Sequence, residues 1–340
     1  MGKFSLRTSG WRHAETIDRQ GFSPSRQANA NHPILEQCAM PTADANEQKK
    51  PVVKLLETAK GLAEYSEYGQ GPVVVSIHGA MGGYDQSLIL AKTVLTGDFR
   101  VIAISRPGYL GTPLASGASP EAQADLLAAL LDALAIPAAI VIAISGGGPT
   151  AIQFALRHPQ RCQSLVLVST VSCPNTYKVP GRFQMLKFMA QLPGLPTLLR
   201  KSTLKNMEKS MQRSVSDLSL LQQLKANQEC GALFQALILS TFEQMGKRIQ
   251  GSENDFHNTQ TGVYPLEAVQ VPTLIVHGTN DPLVNFEEHA LTAQQRIPGA
   301  ELLVLEHGEH AAIFTHCALV RAKVAAFLKT FQTNPQVPSP

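Results

Sequence analysis

Ser145 closes an apolar run, Ala139-Ile-Val-Ile-Ala-Ile-Ser145, and is followed at once by Gly146-Gly147-Gly148-Pro149-Thr150-Ala151-Ile152-Gln153-Phe154. The pattern predicts a buried strand that turns sharply into a helix, a setting in which a serine hydroxyl is lifted above the sheet as a nucleophile. Such a turn crowds the positions two before and two after the serine. Ala143 and Gly147 are small enough to fit there, with Ala143 standing where the G-x-S-x-G pattern has its first glycine. The amide of Gly146, at the start of the helix, would point at negative charge developing on a substrate oxygen. The plain alternative is a glycine-rich turn that cradles phosphate. That reading needs G-x-G-x-x-G spacing and an acid ~20 positions onward, and both are missing.

Three further stretches hold the groups a serine nucleophile requires. His78-Gly79-Ala80-Met81-Gly82-Gly83 follows an apolar run ending at Ile77 and could turn backbone amides toward the serine; its bland reading is a simple glycine turn. Leu274-Ile-Val-His-Gly-Thr-Asn-Asp281-Pro-Leu-Val places an acid on the loop after a strand, although an Asp before Pro is also an ordinary turn former. Leu303-Val-Leu-Glu-His307-Gly308-Glu309-His310 leads from a strand into a loop with two histidines. Serine, imidazole and carboxylate together make an alcohol reactive toward a carbonyl: the imidazole takes the proton, and the acid fixes its tautomer. A metal site built from His307, His310 and His316 is the weaker reading, because the spacing matches neither H-E-x-x-H nor a zinc pattern.

These four stretches resemble the α/β-hydrolase superfamily, in its serine-nucleophile branch with a helical cap. The H-G-x-x-G-G form of residues 78–83, the elbow at Ser145, the loop acid and the Gly308-Glu309-His310 loop carry the likeness, which covers about Pro51 to Phe331. The resemblance implies that Ser145, Asp281 and His310 form a catalytic triad in the chain order of that fold. It implies an oxyanion hole from the Ala80 and Gly146 amides, with Met81 as the neighbouring alternative, and a structural role for His78. His310 is preferred over His307 because it occupies the Gly-x-His position before the last helix. Ser105-Arg106-Pro107-Gly108-Tyr109-Leu110-Gly111 lies where relatives carry a D-x-R-G-x-G-type turn, here without its acid. Relatives with an Asp nucleophile are set aside by Ser145.

The elements that must position these groups follow from texture. β-type runs at 52–56, 62–68 and 73–77 precede an alternation of strands and helices: a strand at 101–104, a helix at 120–134, a strand at 139–144, a helix ending before Pro159, and a strand at 165–168. That alternation predicts a mostly parallel central sheet flanked by helices, an α/β fold. Ser119, Pro120 and Glu121 mark a helix start. Residues 171–270 lose the strand pattern and read as an inserted helical lid, after which residues 271–332 resume the core begun at 51–170. Residues 1–50, polar and without apolar periodicity, read as a flexible extension, and 333–340 as a tail.

Within the lid, Lys201, Lys205, Lys209 and Arg213 recur near helical spacing beside Leu204, Met207 and Met211, which predicts one amphipathic helix. The bland reading is a solvated face. The functional one is contact with acidic or lipid-like substrates or an anionic membrane surface. Met185, Met189, Met207, Met211 and Met245 either line an adaptable acyl pocket or are core.

Composition sets the outer bounds. A chain of 340 residues, 44% hydrophobic, with a net charge of only +3, is long enough to hold a core unaided and too weakly basic for a nucleic-acid binder. Five scattered cysteines without metal-ligand spacing point to a reducing, cytoplasmic setting. No signal-peptide core is apparent at the N-terminus, Leu6 disfavours acylation of Gly2, and no apolar stretch is long enough to span a bilayer. The expectation is a cofactor-free, metal-free hydrolase of carboxylic esters of small or acyl-chain substrates. Amide, lactone, thioester or carbon–carbon hydrolysis, or perhydrolysis, on the same triad stays open, as does a ligand-binding receptor with a vestigial triad.

Overall fold

The computed structural model describes residues 51–175 and 181–332. The extension expected at 1–50 and the tail at 333–340 lie outside them. Among the described residues, eight strands form one sheet: β1 (Val53–Thr58), β2 (Gly61–Tyr68), β3 (Val73–Ile77), β4 (Arg100–Ser105), β5 (Ala139–Ile144), β6 (Cys162–Val168), β7 (Thr273–Gly278) and β8 (Glu301–Leu305). Their order across the sheet is β1-β2-β4-β3-β5-β6-β7-β8. β1 and β2 run antiparallel to their neighbours, and every pairing from β4 to β8 is parallel.

Parallel neighbours require crossovers, and helices supply them. They are α1 (Tyr84–Val94), α2 (Pro120–Ala133), α3 (Gly148–Arg157), then α4 (Gly181–Ala190), α5 (Leu195–Lys205), α6 (Met207–Gln212), α7 (Leu218–Ala226), α8 (Gln228–Ser240) and α9 (Gly246–Thr261) between β6 and β7. α10 (Thr292–Arg296), α11 (Ala312–Thr315) and α12 (Cys317–Gln332) complete the set. Alternate residues of the central strands feed the two faces. Val75, Ile77, Val141 and Ala143 pack with Leu127, Leu130 and Leu131 of α2, while Val74, Ile140 and Ile142 pack with α1 and α12 through Leu90, Val320 and Val324. α2 starts as its sequence implies, with the Ser119 hydroxyl accepting the Ala122 amide and Pro120 in the first turn.

Three features differ from the sequence reading. α1 has no announced start: its N-cap is Gly83, which offers no side-chain acceptor, and eight of its residues are buried, so it lacks the polar face that marks a helix. The helix expected through Lys201 and Arg213 is broken at Asn206 into α5 and α6, leaving Leu204 exposed and Met211 buried. Met245 is also buried and Met185 exposed. The cysteines are not all free either, for Cys230 on α8 and Cys317 at the start of α12 form a disulfide across 87 positions. A reducing compartment is read from the odd number and scatter of the five cysteines, and a pairing between positions so far apart leaves no mark in their spacing. Among the described residues no helix is long and apolar enough to cross a membrane.

Candidate active site

Sheet order determines where a site can form. After β3 the chain goes to one side of the sheet for β4, and β5 lies on the other side of β3. Loops at the carboxyl ends of β3 and β5 therefore leave in opposite directions and open a crevice between them. Ser145 follows β5, the loop of residues 78–83 follows β3, Asp281 follows β7, and His310 follows β8.

The turn after β5 is tight. Ser145 has φ of 54°, the left-handed region that non-glycine residues avoid, and it begins a single 3-10 turn that runs directly into α3. A methyl group at Gly147 would come within 2.6 Å of the His78 carbonyl, and one at Gly148 within 2.6 Å of the Thr170 side chain. Both glycines are thus dictated by neighbours just beyond the strands on either side of β5.

Ser145 Oγ lies 3.0 Å from His310 Nε2, and His310 Nδ1 lies 2.7 Å from Asp281 Oδ2. A carboxylate on Nδ1 selects the tautomer that keeps Nε2 free to accept the serine proton. Asp281 is itself held firmly. Its Oδ1 accepts the Leu283 and Val284 amides at 2.9 and 3.0 Å, and His277 Nε2, which donates to the Val284 carbonyl at 2.9 Å, stands 3.4 Å from Oδ2. Burial alone would raise the Asp281 carboxyl. The charge of His310 and hydrogen bonds from His277, His310 and Val284 outweigh burial and hold the carboxyl well below the usual carboxylate range. The group therefore stays ionised where an orienting acid must be. His307 is exposed on the turn after β8 with φ of 58°, and its amide donates to Thr279.

The loop after β3 is built around the His78 ring. Nδ1 donates to the Gly79 carbonyl at 2.6 Å, and Nε2 accepts the Arg106 amide at 2.9 Å. Burial, and then the nearby Arg106 charge, push this imidazole well below its ordinary range, which suits a neutral ring with one donor and one acceptor. Gly79 faces Ser145, Gly82 faces the His78 ring, and Gly83 faces Leu110, each too close for a side chain. Of the two amides weighed as donors, that of Met81 is already engaged, donating to Ser252 Oγ at 2.9 Å. A Cβ built on Gly146 would sit 3.7 Å from the Ala80 nitrogen, so those two backbone segments adjoin.

The sequence reading placed α9 within the helical insertion but gave none of its residues a role at the site. Arg248, Gly251, Ser252 and Asp255, spaced as one helical face, lie against the loops that follow β3 and β4. Arg248 forms an ion pair with Asp85 of α1, its Nη2 2.6 Å from Oδ2, and Asp255 takes Arg106 in two contacts of 2.6 and 2.5 Å, together with the Tyr109 hydroxyl. Gly251 lets the backbone approach, its amide donating to the Gly108 carbonyl at 2.9 Å where a side chain would overlap the Tyr109 ring. In the Ser105–Gly111 turn, which lacks its local acid, the carboxylate that meets Arg106 comes from Asp255 instead. A polar face reads as solvated, so the only signal was the small pair Gly251-Ser252 within a charged stretch.

Comparison with known proteins agrees with this architecture. An α/β hydrolase fold protein from Nakamurella multipartita is 32% identical, with a TM-score of 0.75 over 82% of this chain and 99% of that one. A poly(3-hydroxyalkanoate) depolymerase of Ectopseudomonas oleovorans is 29% identical over 68% of this chain and 76% of its own length. A 2-hydroxy-6-oxononadienedioate/2-hydroxy-6-oxononatrienedioate hydrolase of Pseudomonas putida is 27% identical over 78% and 91%. The family model for the alpha/beta hydrolase fold matches residues 72–316, which include all four loops of the crevice, and the chain belongs to the α/β-hydrolase fold family.

Proposed function

We propose that this hydrolase cleaves carboxylic esters of small or acyl-chain substrates through an acyl-enzyme on Ser145. His310 accepts the serine proton as Oγ attacks the ester carbonyl, and Asp281 stabilises the imidazolium that results. The Ala80 and Gly146 amides hold the oxyanion, the Met81 amide being occupied by Ser252. His310 then protonates the departing alkoxide, and a water molecule activated by the same ring releases the acid. The observation that supports this most is the pair of contacts at His310, 3.0 Å to Ser145 Oγ and 2.7 Å to Asp281.

A fluorophosphonate probe and a panel of p-nitrophenyl esters of increasing chain length test the reading. Rapid labelling at Ser145 with ester turnover supports it. Turnover without labelling would remove Ser145 from its role, and neither labelling nor turnover would favour a binding protein with a vestigial triad.

A second reading is favoured by the likeness to the Pseudomonas putida enzyme. In it, the same groups cleave a carbon–carbon bond beside a ketone. Assay of a vinylogous 1,5-diketone beside the esters separates the two, since the preferred class shows the larger kcat/KM.

We further propose that the helices between β6 and β7 act as the lid over this site, with α9 as their contact to it. Cytoplasmic residence goes with a reduced Cys230–Cys317 pair, and an oxidising compartment with the bonded one.

A further inference from the structure

The geometry points to Ser252 as a positioning residue for the oxyanion hole, acting from α9 through Met81. The inference rests on the serine-hydrolase reading above. Ser252 is fully buried, and both sides of its hydroxyl are committed. The proton goes to the Arg248 carbonyl at 2.8 Å, which leaves a lone pair facing the Met81 amide at 2.9 Å. The Met81 amide can only donate, and the helix carbonyl keeps the serine proton turned away from it.

Met81 needs that restraint. Its φ of 57° places it in the left-handed region, an arrangement an unbranched side chain adopts only when its surroundings hold it there. Its carbonyl is held as well, by Gln86 Nε2 at 3.2 Å and Arg248 Nη1 at 3.4 Å. The peptide units on both sides of Met81 are thus pinned, and the preceding residue is Ala80, whose amide is the proposed oxyanion donor. An amide can stabilise a developing charge only if it is already aimed at it. Ser252 contributes to that aim from 171 positions away in sequence, by holding the peptide unit that directly follows Ala80.

The test is Ser252→Ala, with Ser252→Cys as a nearly isosteric variant whose sulfur is a poor acceptor. Four quantities are read: kcat and KM on a p-nitrophenyl ester, inhibition by a trifluoromethyl ketone that forms a tetrahedral oxyanion on serine, and inhibition by the product acid. The expected result is a fall in kcat on the order of tenfold with KM little changed. The ketone should weaken in proportion while the product acid binds as before. A merely structural serine would lower thermal stability without weakening the ketone selectively. If Ser252→Ala does not fold, Ser252→Cys carries the same expectation at smaller amplitude. Wild-type kcat and ketone affinity in a folded variant overturn the role of Ser252 and leave the hydrolase reading intact. A wild-type protein that neither turns over esters nor reacts with fluorophosphonate overturns both.

Discussion

Gly79 faces the side chain of Ser145 so closely that a methyl group on its α-carbon would stand 2.9 Å from the serine Cβ. The loop after β3 and the nucleophile are consequently packed backbone against side chain, and neither can shift alone. Gly79→Ala should push Oγ out of line with His310 and lower kcat on the order of a hundredfold, the scale of a misplacement of about an ångström. Steady-state kinetics on a p-nitrophenyl ester, with circular dichroism as a folding control, checks this; unchanged kcat would mean the loop yields instead.

Ser145→Ala removes the proposed nucleophile and leaves His310 and Asp281 in place. Turnover should fall on the order of ten-thousandfold or more with the melting transition nearly unmoved. Residual ester hydrolysis near the wild-type rate in purified protein would exclude the acyl-enzyme route.

Asp281 couples the site to pH. Its folded carboxyl titrates below the ordinary value of 3.8 because His310 and its hydrogen-bond donors outweigh burial. A depressed carboxylate gives stability that is complete above the unfolded value and is lost as pH falls toward the folded one. Denaturant midpoints of wild type and Asp281→Asn should therefore differ by a constant amount above about pH 5 and draw together only as pH falls below about 4, toward the folded carboxyl's own value. A gap that widens on acidification would reverse the sign and refute the account. At neutral pH the same variant should lose activity far more than stability, since an amide no longer selects the histidine tautomer.

The Arg106–Asp255 pair is almost wholly buried, so removing one partner strands a charge. Asp255→Leu should destabilise by about 3–5 kcal/mol, while the double variant Arg106→Met, Asp255→Leu should recover part of that loss. Urea denaturation of the two singles and the double measures the coupling. Additive losses would show that the pair contributes no mutual stabilisation.

The bond between Cys230 and Cys317 closes a long loop, and in the chain-entropy account that restraint contributes about 4–5 kcal/mol. Reductant should lower the thermal midpoint of the wild type and leave that of Cys317→Ala unchanged. Equal wild-type midpoints with and without reductant, or five alkylatable thiols before reduction, would remove the bond from the account.

The parts of this architecture that were legible share one property, which is that their signal is local. The strand, serine, glycines and helix of 139–157 are contiguous, and Asp281 and His310 each stand just beyond an apolar strand, so sheet topology alone brings them toward one edge. What escaped notice depends on partners far along the chain. Arg106 and Asp255 are 149 positions apart, Met81 and Ser252 are 171 apart, and no periodicity records such pairings. α1 escaped for a different reason, since a helix buried on nearly every side loses the polar stripe by which helices are recognised.

The disulfide between α8 and α12 also ties the segment inserted between β6 and β7 to the last described helix. Met211 of α6 shares a hydrophobic cluster with Phe234 of α8, so the stitch at Cys230 reaches beyond α8 itself. Under the proposed lid role, α8 could not part from α12 while the bond is intact, and opening would have to bend the insertion about that one fixed point.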